Sequence, residues 1–188
     1  MANTKKLRKL EFEEILDKRP SLEELQRIPR HPFVVLLDNI RSLHNVGAIF
    51  RTSDAVHLQH IYLCGITGRP PRDEIRKTSL GAEESVPWTF EQDAAQVIAG
   101  LRADGYQIIA LEHTDHSEDY RRAKYNYPLC LIVGNEYLGV QDHLVEAADC
   151  AVEIPMHGIK QSLNVSVAFG IAAYGILTQW EDNIKNGC

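Results

Sequence analysis

The stretch Phe33-Val34-Val35-Leu36-Leu37 is apolar throughout. An unbroken apolar run of this length is typical of a β-strand that is buried on both faces, as in a parallel sheet. Comparable runs recur along the chain and end in glycine or polar residues. They predict further strands over residues 60–64, 107–111, 129–133 and 151–154.

Segments with helical spacing of apolar residues separate these strands. The predicted helices span residues 46–56, 91–103, 140–148 and 162–180. Strands that alternate with helices indicate an α/β fold in which a mostly parallel sheet is flanked by helices. Parallel sheets bind ligands outside the carboxyl ends of their strands, so we expect the functional residues to lie there.

Composition places the chain among ordinary globular proteins. The 188 residues are 44% apolar and 24% charged, which suits one compact domain and excludes disorder over most of the length. The formal net charge of −6 argues against a protein that coats nucleic acid by bulk charge. A local basic patch remains compatible with that balance.

The cysteines and the apolar tracts point to the cytoplasm. Cys64, Cys130, Cys150 and Cys188 are too far apart for a CxxC motif or a zinc ribbon, so reduced thiols are expected. The longest apolar tract, residues 165–177, is shorter than the roughly 20 residues of a membrane span. We therefore expect no membrane segment and a cytoplasmic location.

The first thirty residues differ from the rest. Residues 1–30 hold eight basic and six acidic side chains, and a capping-box pattern at Ser21 and Glu24 predicts a short helix there. This helical extension is either a solvated arm or an arm that contacts the substrate. The main domain is expected over residues 31–182, followed by a tail over residues 183–188.

Familiar nucleotide and metal motifs are absent. Residues 134–139 have GxxxxG spacing, but Val140 and Gln141 stand where a phosphate-binding loop needs Lys and Ser or Thr. Residues 113–116, His-Thr-Asp-His, are better explained as an exposed polar loop than as a metal site, because no second ligand pair with suitable spacing follows. A nucleotide-dependent small-molecule enzyme is therefore the weaker alternative.

Three segments place polar side chains beside the predicted strand ends. They are residues 45–51, residues 132–136, and residues 154–158 together with 162–166. Each feature also has an ordinary structural explanation. Asn45 and Ser162 could cap helices, Arg51 could form a surface ion pair, and Glu136 could face a helix dipole. Their joint occurrence at strand ends favours one shared site.

These segments resemble the motifs of the SpoU-type members of the SPOUT class, which are trefoil-knotted RNA 2′-O-ribose methyltransferases. The resemblance spans about residues 33–180. The matches are Asn45, Gly47 and Arg51 to NxGxxxR, Gly134 and Glu136 to a strand ending in GxE, and residues 154–158 with 162–168 to IPMxG and SLNVSVA.

The resemblance implies a C-terminal deep trefoil knot, S-adenosylmethionine as the cofactor and a homodimer. The substrate is RNA, with tRNA preferred because the chain lacks a large RNA-binding domain, and with rRNA open. No metal is implied, since the sulfonium leaving group is already activated. The alternative is a catalytically silent knotted protein that binds RNA.

The resemblance also assigns residues. Arg51 would be central to catalysis, and Asn45, Glu136, Ser162 and Asn164 would orient it and the ribose. A guanidinium is a reluctant base, so clamping phosphate and stabilising the developing alkoxide suit Arg51 better. The cofactor would be held by Leu111, Glu112, Gly134, Asn135, Ile154, Met156, Ser162 and Leu163. The RNA-binding candidates are Arg41, Arg51, Arg72, Arg76 and Lys77.

Overall fold

A computed structural model of the protein describes residues 7–186. Gly187 and Cys188, the last two residues of the expected tail, lie outside the described residues, as does the start of the N-terminal extension. Within residues 7–186, no helix has both the length and the apolar character needed to cross a membrane.

The centre of the fold is a sheet in the order β3-β2-β1-β6-β4-β7-β5, and every neighbouring pair is parallel. The predicted mostly parallel sheet is therefore confirmed. The strands are β1 (His31–Asp38), β2 (Leu58–Cys64), β3 (Trp88–Glu91), β4 (Gln107–Leu111), β5 (Glu118–Asp119), β6 (Leu129–Val133) and β7 (Cys150–Glu153).

Helices of very different length connect these strands. They are α1 (Phe12–Leu16), α2 (Leu22–Arg27), α3 (Leu43–Ala55), α4 (Asp73–Ser79), α5 (Ala82–Ser85), α6 (Ala94–Ala103), α7 (Asp142–Glu146) and α8 (Val165–Asn186). The capping box predicted at the start of α2 is present, because the Ser21 side chain accepts from the Glu24 N–H and the Glu24 carboxylate accepts from the Ser21 N–H.

Several boundaries differ from the prediction. Helix α6 begins at Ala94 rather than at residue 91, because Glu91 pairs in β3 and Asp93 caps the helix. Helix α8 begins at Val165 rather than at residue 162 and continues to Asn186, into the expected tail. The sequence did not indicate α4, α5, β3 or β5, which are short elements without an apolar run.

Alternate residues of the central strands feed two separate cores. Val35 and Leu37 belong to the apolar cluster that includes residues of α3 and α8, such as Phe169. Val34 and Leu36 belong to the cluster formed with α6 and α7. Strand β1 is thus buried on both faces, as its unbroken apolar sequence predicts.

The topological switch point, at which the strand order reverses, lies between β1 and β6. Strands β2 and β3 extend from one side of β1, whereas β6, β4 and β7 lie on the other side. In open α/β sheets, the crevice outside the carboxyl ends at such a point is the usual ligand site. The loops that follow β1, β4, β6 and β7 therefore define where the functional residues should be sought.

Candidate active site

A cavity of about 820 Å³ opens at this edge of the sheet. Its size falls within the range of roughly 300–1,000 Å³ that is common for small-molecule pockets. All eight residues predicted to hold a cofactor line it: Leu111, Glu112, Gly134, Asn135, Ile154, Met156, Ser162 and Leu163. The cavity wall thus combines apolar side chains, carboxylates and the backbone that follows β6.

Glu136 ties the loop after β6 to the beginning of α3. Its Oε2 accepts a hydrogen bond from the Arg41 N–H at 3.0 Å. Its Oε1 accepts from the Ser42 N–H at 3.0 Å and from the Asn45 side-chain amide at 2.9 Å. The carboxylate therefore satisfies backbone donors before the first turn of α3 as well as a side chain within it.

Asn45 links Glu136 to the segment that precedes α8. The Asn45 side chain is nearly buried, and its Oδ1 accepts from the Asn164 side-chain amide at 3.1 Å. A continuous hydrogen-bonded path thus runs from Glu136 through Asn45 to Asn164. This path brings together the three sequence motifs, which lie far apart along the chain.

The two capping roles considered as alternative explanations for Asn45 and Ser162 are not found. Ser42, not Asn45, caps α3, because the Ser42 hydroxyl accepts from the Asn45 N–H. At the start of α8, the Oδ1 of Asn164 accepts from the Ser166 N–H at 2.9 Å. Ser162 lies before this helix in the loop that lines the cavity, so its hydroxyl does not serve as the cap.

The surroundings of Glu136 favour its ionised form. Partial burial raises the pKa of this carboxyl, but the hydrogen bonds from the Arg41 and Ser42 backbone and from the Asn45 amide outweigh that effect, so the pKa lies below its usual range. Glu136 is consequently an acceptor of hydrogen bonds at neutral pH and not a reservoir for a proton.

The loop after β6 closes on itself. Asn135 and Gly139 exchange two backbone hydrogen bonds of 2.9 Å each. A Cβ on Gly134 would lie 2.1 Å from the Gly139 carbonyl carbon and from the Val140 nitrogen. Gly134 is therefore needed for the close approach of the loop's own backbone, whereas the sequence had suggested an approach to a cofactor.

Two carboxylates fix this loop to the sheet. Oε2 of Glu112 accepts from the Val140 N–H at 2.9 Å. Asp38, fully buried at the end of β1, accepts from the Gln141 N–H at 3.0 Å and from the Gln141 side-chain amide at 2.7 Å. Glu112 thus supports the cavity wall in addition to lining it. Asp38 was not identified from the sequence, where a single Asp after an apolar strand carries no distinctive signal.

Gly47, the glycine of the first motif, allows α4 to pack against α3. A Cβ at this position would meet the Thr78 hydroxyl at 2.0 Å and the Ile75 carbonyl oxygen at 2.4 Å. The Thr78 hydroxyl in turn donates to the His44 carbonyl at 3.1 Å. This close contact places the basic residues of α4 beside the helix that carries Asn45.

The basic candidates do not all lie at the cavity. Arg41 lines it, and its guanidinium lies 5.7 Å from the centre of the Tyr137 ring. Arg51 is exposed on α3 and does not line the cavity. Six residues of helix separate it from Asn45, a rotation of about 240°, so the two side chains point to different sides. Exposed positions on or next to α4 are occupied by Arg72, Arg76 and Lys77.

The predicted polar loop at residues 113–116 is exposed in large part. The His113 ring lies 3.2 Å from the Glu153 carboxylate, which also accepts from the Ser117 hydroxyl at 2.6 Å. Within residues 7–186, no group of three or more His, Cys, Asp or Glu side chains is arranged to hold a metal ion.

Comparison with known proteins identifies one matching family model and relatives that share the same name. Residues 32–174 match the model of the SpoU rRNA Methylase family. The tRNA (guanosine(18)-2′-O)-methyltransferase of Aquifex aeolicus is 35% identical over 173 residues, which cover 89% of this chain and 80% of that protein. The enzyme of the same name from Thermus thermophilus is 32% identical, over 84% of this chain and 80% of its own length.

Solved structures show the same fold. The A. aeolicus TrmH/SpoU tRNA modifying enzyme superposes with a TM-score of 0.79 at 34% identity and covers 90% of this chain and 86% of its own. The AdoMet-bound rRNA methyltransferase from Sinorhizobium meliloti superposes with a TM-score of 0.75 at 31% identity, over 82% of this chain and 60% of its own.

The ionised Glu136 should stabilise the fold in a pH-dependent way. Because its pKa is lowered by folding, its contribution is complete above the unfolded value of about 4.3 and is lost as the pH falls through the lower folded value. We expect the difference in unfolding free energy between the wild type and Glu136→Gln to be constant from about pH 7 to 5 and to shrink below that range. Urea denaturation at each pH measures it.

Glu146→Gln on the exposed side of α7 is the matched control for removing one negative charge. A difference between wild type and Glu136→Gln that stays constant, or grows, on acidification would contradict the ionised, hydrogen-bonded role of this carboxylate.

Proposed function

Because the chain belongs to the SpoU rRNA methylase family, we propose that it is an S-adenosylmethionine-dependent methyltransferase that methylates a ribose 2′-hydroxyl of tRNA. The observation that carries this proposal is the hydrogen-bonded path from Glu136 through Asn45 to Asn164, which joins the three motifs beside one cavity. The tRNA substrate is supported by the names of the A. aeolicus and T. thermophilus relatives. The name of the S. meliloti structure makes rRNA the second pool to test.

The cavity fits S-adenosylmethionine in its chemistry. Leu111, Ile154 and Leu163 offer apolar surface for a flat adenine, and Glu112 and Glu153 bring negative charge towards a cationic ligand. The cofactor supplies a methyl group already activated on a sulfonium. The remaining task of the protein is to place the acceptor hydroxyl in line with that methyl and to assist the loss of its proton.

Glu136 and Asn45 serve this task by positioning. Both oxygens of the Glu136 carboxylate already accept hydrogen bonds, and its pKa is lowered, so we assign it to holding the Asn45 amide and the start of α3. Asn164 and Ser162 line the cavity on the opposite segment and are placed to contact the ribose. Such positioning by rigid, mutually bonded groups lowers the entropic part of the barrier.

Arg51 acts on the acceptor from outside the cavity in this proposal. Its exposed guanidinium is suited to clamp the phosphate next to the reacting ribose and to stabilise negative charge on the 2′-oxygen. Arg41, at the cavity, and the basic residues Arg72, Arg76 and Lys77 beside α3 extend this positive surface. Phosphate contacts of this kind position an RNA without reading its sequence.

The chain is further proposed to be a homodimer with a C-terminal trefoil knot. The knot is supported by the motif resemblance and by the match to the SpoU rRNA Methylase family model. The dimer is supported by exposed apolar side chains on and before α8, namely Ile159, Leu163, Val167 and Tyr174. Exposed apolar side chains that lie close together along the chain are compatible with an interaction site.

The N-terminal extension is proposed to contact RNA, with the methyltransferase domain over residues 31–182. Helices α1 and α2 bury none of their residues, so they add little to the core. The main domain is anchored instead from Arg30, which donates to the Leu58 and Ser85 carbonyl oxygens.

Replacing Arg51 tests the catalytic assignment. We expect Arg51→Ala to lower kcat for methyl transfer roughly 100- to 1,000-fold, as is usual when one charge-stabilising donor is removed, while S-adenosylmethionine affinity stays unchanged. Transfer of tritiated methyl into tRNA and rRNA pools measures kcat, and calorimetric titration measures the affinity. Lys185→Ala, which removes an exposed cation at the far end of α8, is the control. Normal turnover by Arg51→Ala would refute this role.

Removal of residues 1–27 tests the role of the extension. This truncation keeps Arg30 and its anchoring bonds, so the domain should stay folded. We expect RNA affinity, measured by filter binding, to fall more than S-adenosylmethionine affinity. Equal losses of both affinities, or a fall in the unfolding midpoint without a specific RNA effect, would show that the extension serves folding instead.

A further inference from the structure

The tip of the loop after β6 carries an aromatic side chain that the core does not use. Tyr137 is 83% exposed, although it directly follows Glu136 and lines the cavity. An aromatic side chain combines a large apolar surface with a polar hydroxyl, which suits contacts with a ligand. The position of this ring at the cavity mouth makes it a candidate for such a contact.

The backbone beneath Tyr137 is held firmly. The Asn135 Oδ1 accepts from the Tyr137 N–H at 2.9 Å and from the Leu138 N–H at 3.2 Å. The Asn135 side-chain amide donates to the Asn39 carbonyl at 2.7 Å, which fixes the tip to the end of β1. The ring is thus presented on a preformed turn, and ordering this backbone on binding adds little entropic cost.

The positive charge beside the Tyr137 ring indicates which kind of ligand can bind there. The Arg41 guanidinium lies 5.7 Å from the ring centre, within the range of a cation–π contact. The Arg41 N–H also donates to Glu136, so this arginine joins the ring to the hydrogen-bonded path described above. A flat π surface beside an exposed cation suits a nucleobase together with its phosphate, because bases stack on aromatic rings and phosphates bind arginine.

We propose that Tyr137 is a stacking platform for a base of the RNA at or next to the nucleotide whose ribose is methylated, with Arg41 binding the adjoining phosphate. This inference rests on the proposed function, since it places the RNA at the same cavity. A base stacked on this ring would hold its nucleotide in one orientation and so present a ribose to the cavity. Stacking tolerates any base, so the platform orients the nucleotide and does not select it.

A second copy of the chain is the competing occupant of this surface. The exposed apolar side chains on and before α8, Ile159, Val167 and Tyr174, are available for that contact. The pairing of ring and guanidinium beside Glu136 favours the nucleic acid at the loop tip.

The test compares Tyr137→Ala with Tyr137→Phe, which keeps the ring. RNA affinity is measured by filter binding to a tRNA transcript, the KM for that transcript by methyl transfer, cofactor affinity by calorimetry, and mass by sedimentation. We expect Tyr137→Ala to weaken RNA affinity and raise the KM about tenfold or more, at unchanged cofactor affinity and mass. Tyr137→Phe should resemble the wild type. Ile184→Ala, which also removes an exposed apolar side chain but at the far end of α8, is the control.

Four outcomes would overturn the platform. They are wild-type RNA affinity in Tyr137→Ala, an equal loss in Tyr137→Phe, a parallel loss of cofactor affinity, and a fall in mass that identifies a subunit contact. The measurement of RNA affinity does not depend on methyl transfer. A wild-type protein that binds RNA through Tyr137 but transfers no methyl would refute the proposed function and leave the platform standing.

Discussion

The site depends on one half-buried carboxylate whose two oxygens both accept hydrogen bonds. Glu136 holds the Arg41 and Ser42 N–H groups and the Asn45 amide, and Asn45 holds Asn164. Removing this carboxylate would leave two partly buried donors, the Ser42 N–H and the Asn45 amide, without an acceptor, which is more costly than losing one surface contact. The loop after β6, the start of α3 and the segment before α8 therefore keep one relative arrangement.

Around Glu136, other carboxylates accept hydrogen bonds from backbone N–H groups instead of pairing with charged side chains. Glu112 and the buried Asp38 accept from Val140 and Gln141, so the loop that forms the cavity wall is held from two strands. Groups held in this way are already in place when ligands arrive. Such preorganisation suits a reaction whose difficulty is to align a weakly acidic hydroxyl with a methyl group.

The sequence predicts the central strands and the cavity wall well, because both have local signals. Unbroken apolar runs identify β1 and β6, and short motifs at strand ends identify residues such as Gly134 and Ile154. Prediction from the sequence fails where the role of a residue depends on contacts that only the fold reveals. Asp38 looks ordinary until its contact with Gln141 is known, and Asn45 resembles a cap until Ser42 takes that role. The spacing of six residues between Asn45 and Arg51 does indicate that the two side chains need not share a face of α3, which agrees with the exposed position of Arg51 away from the cavity.

The position of the transferred methyl tests the central claim most directly. The purified protein would be incubated with methyl-labelled S-adenosylmethionine and with unmodified tRNA or rRNA. Part of each RNA would be digested to nucleosides to identify the modified nucleoside, and part would be cut into oligonucleotides to locate the label, both by mass spectrometry. The account predicts label in a 2′-O-methylated nucleoside, at one position of the tRNA. Label on a base, or bound cofactor with no transfer to either tRNA or rRNA, would contradict it.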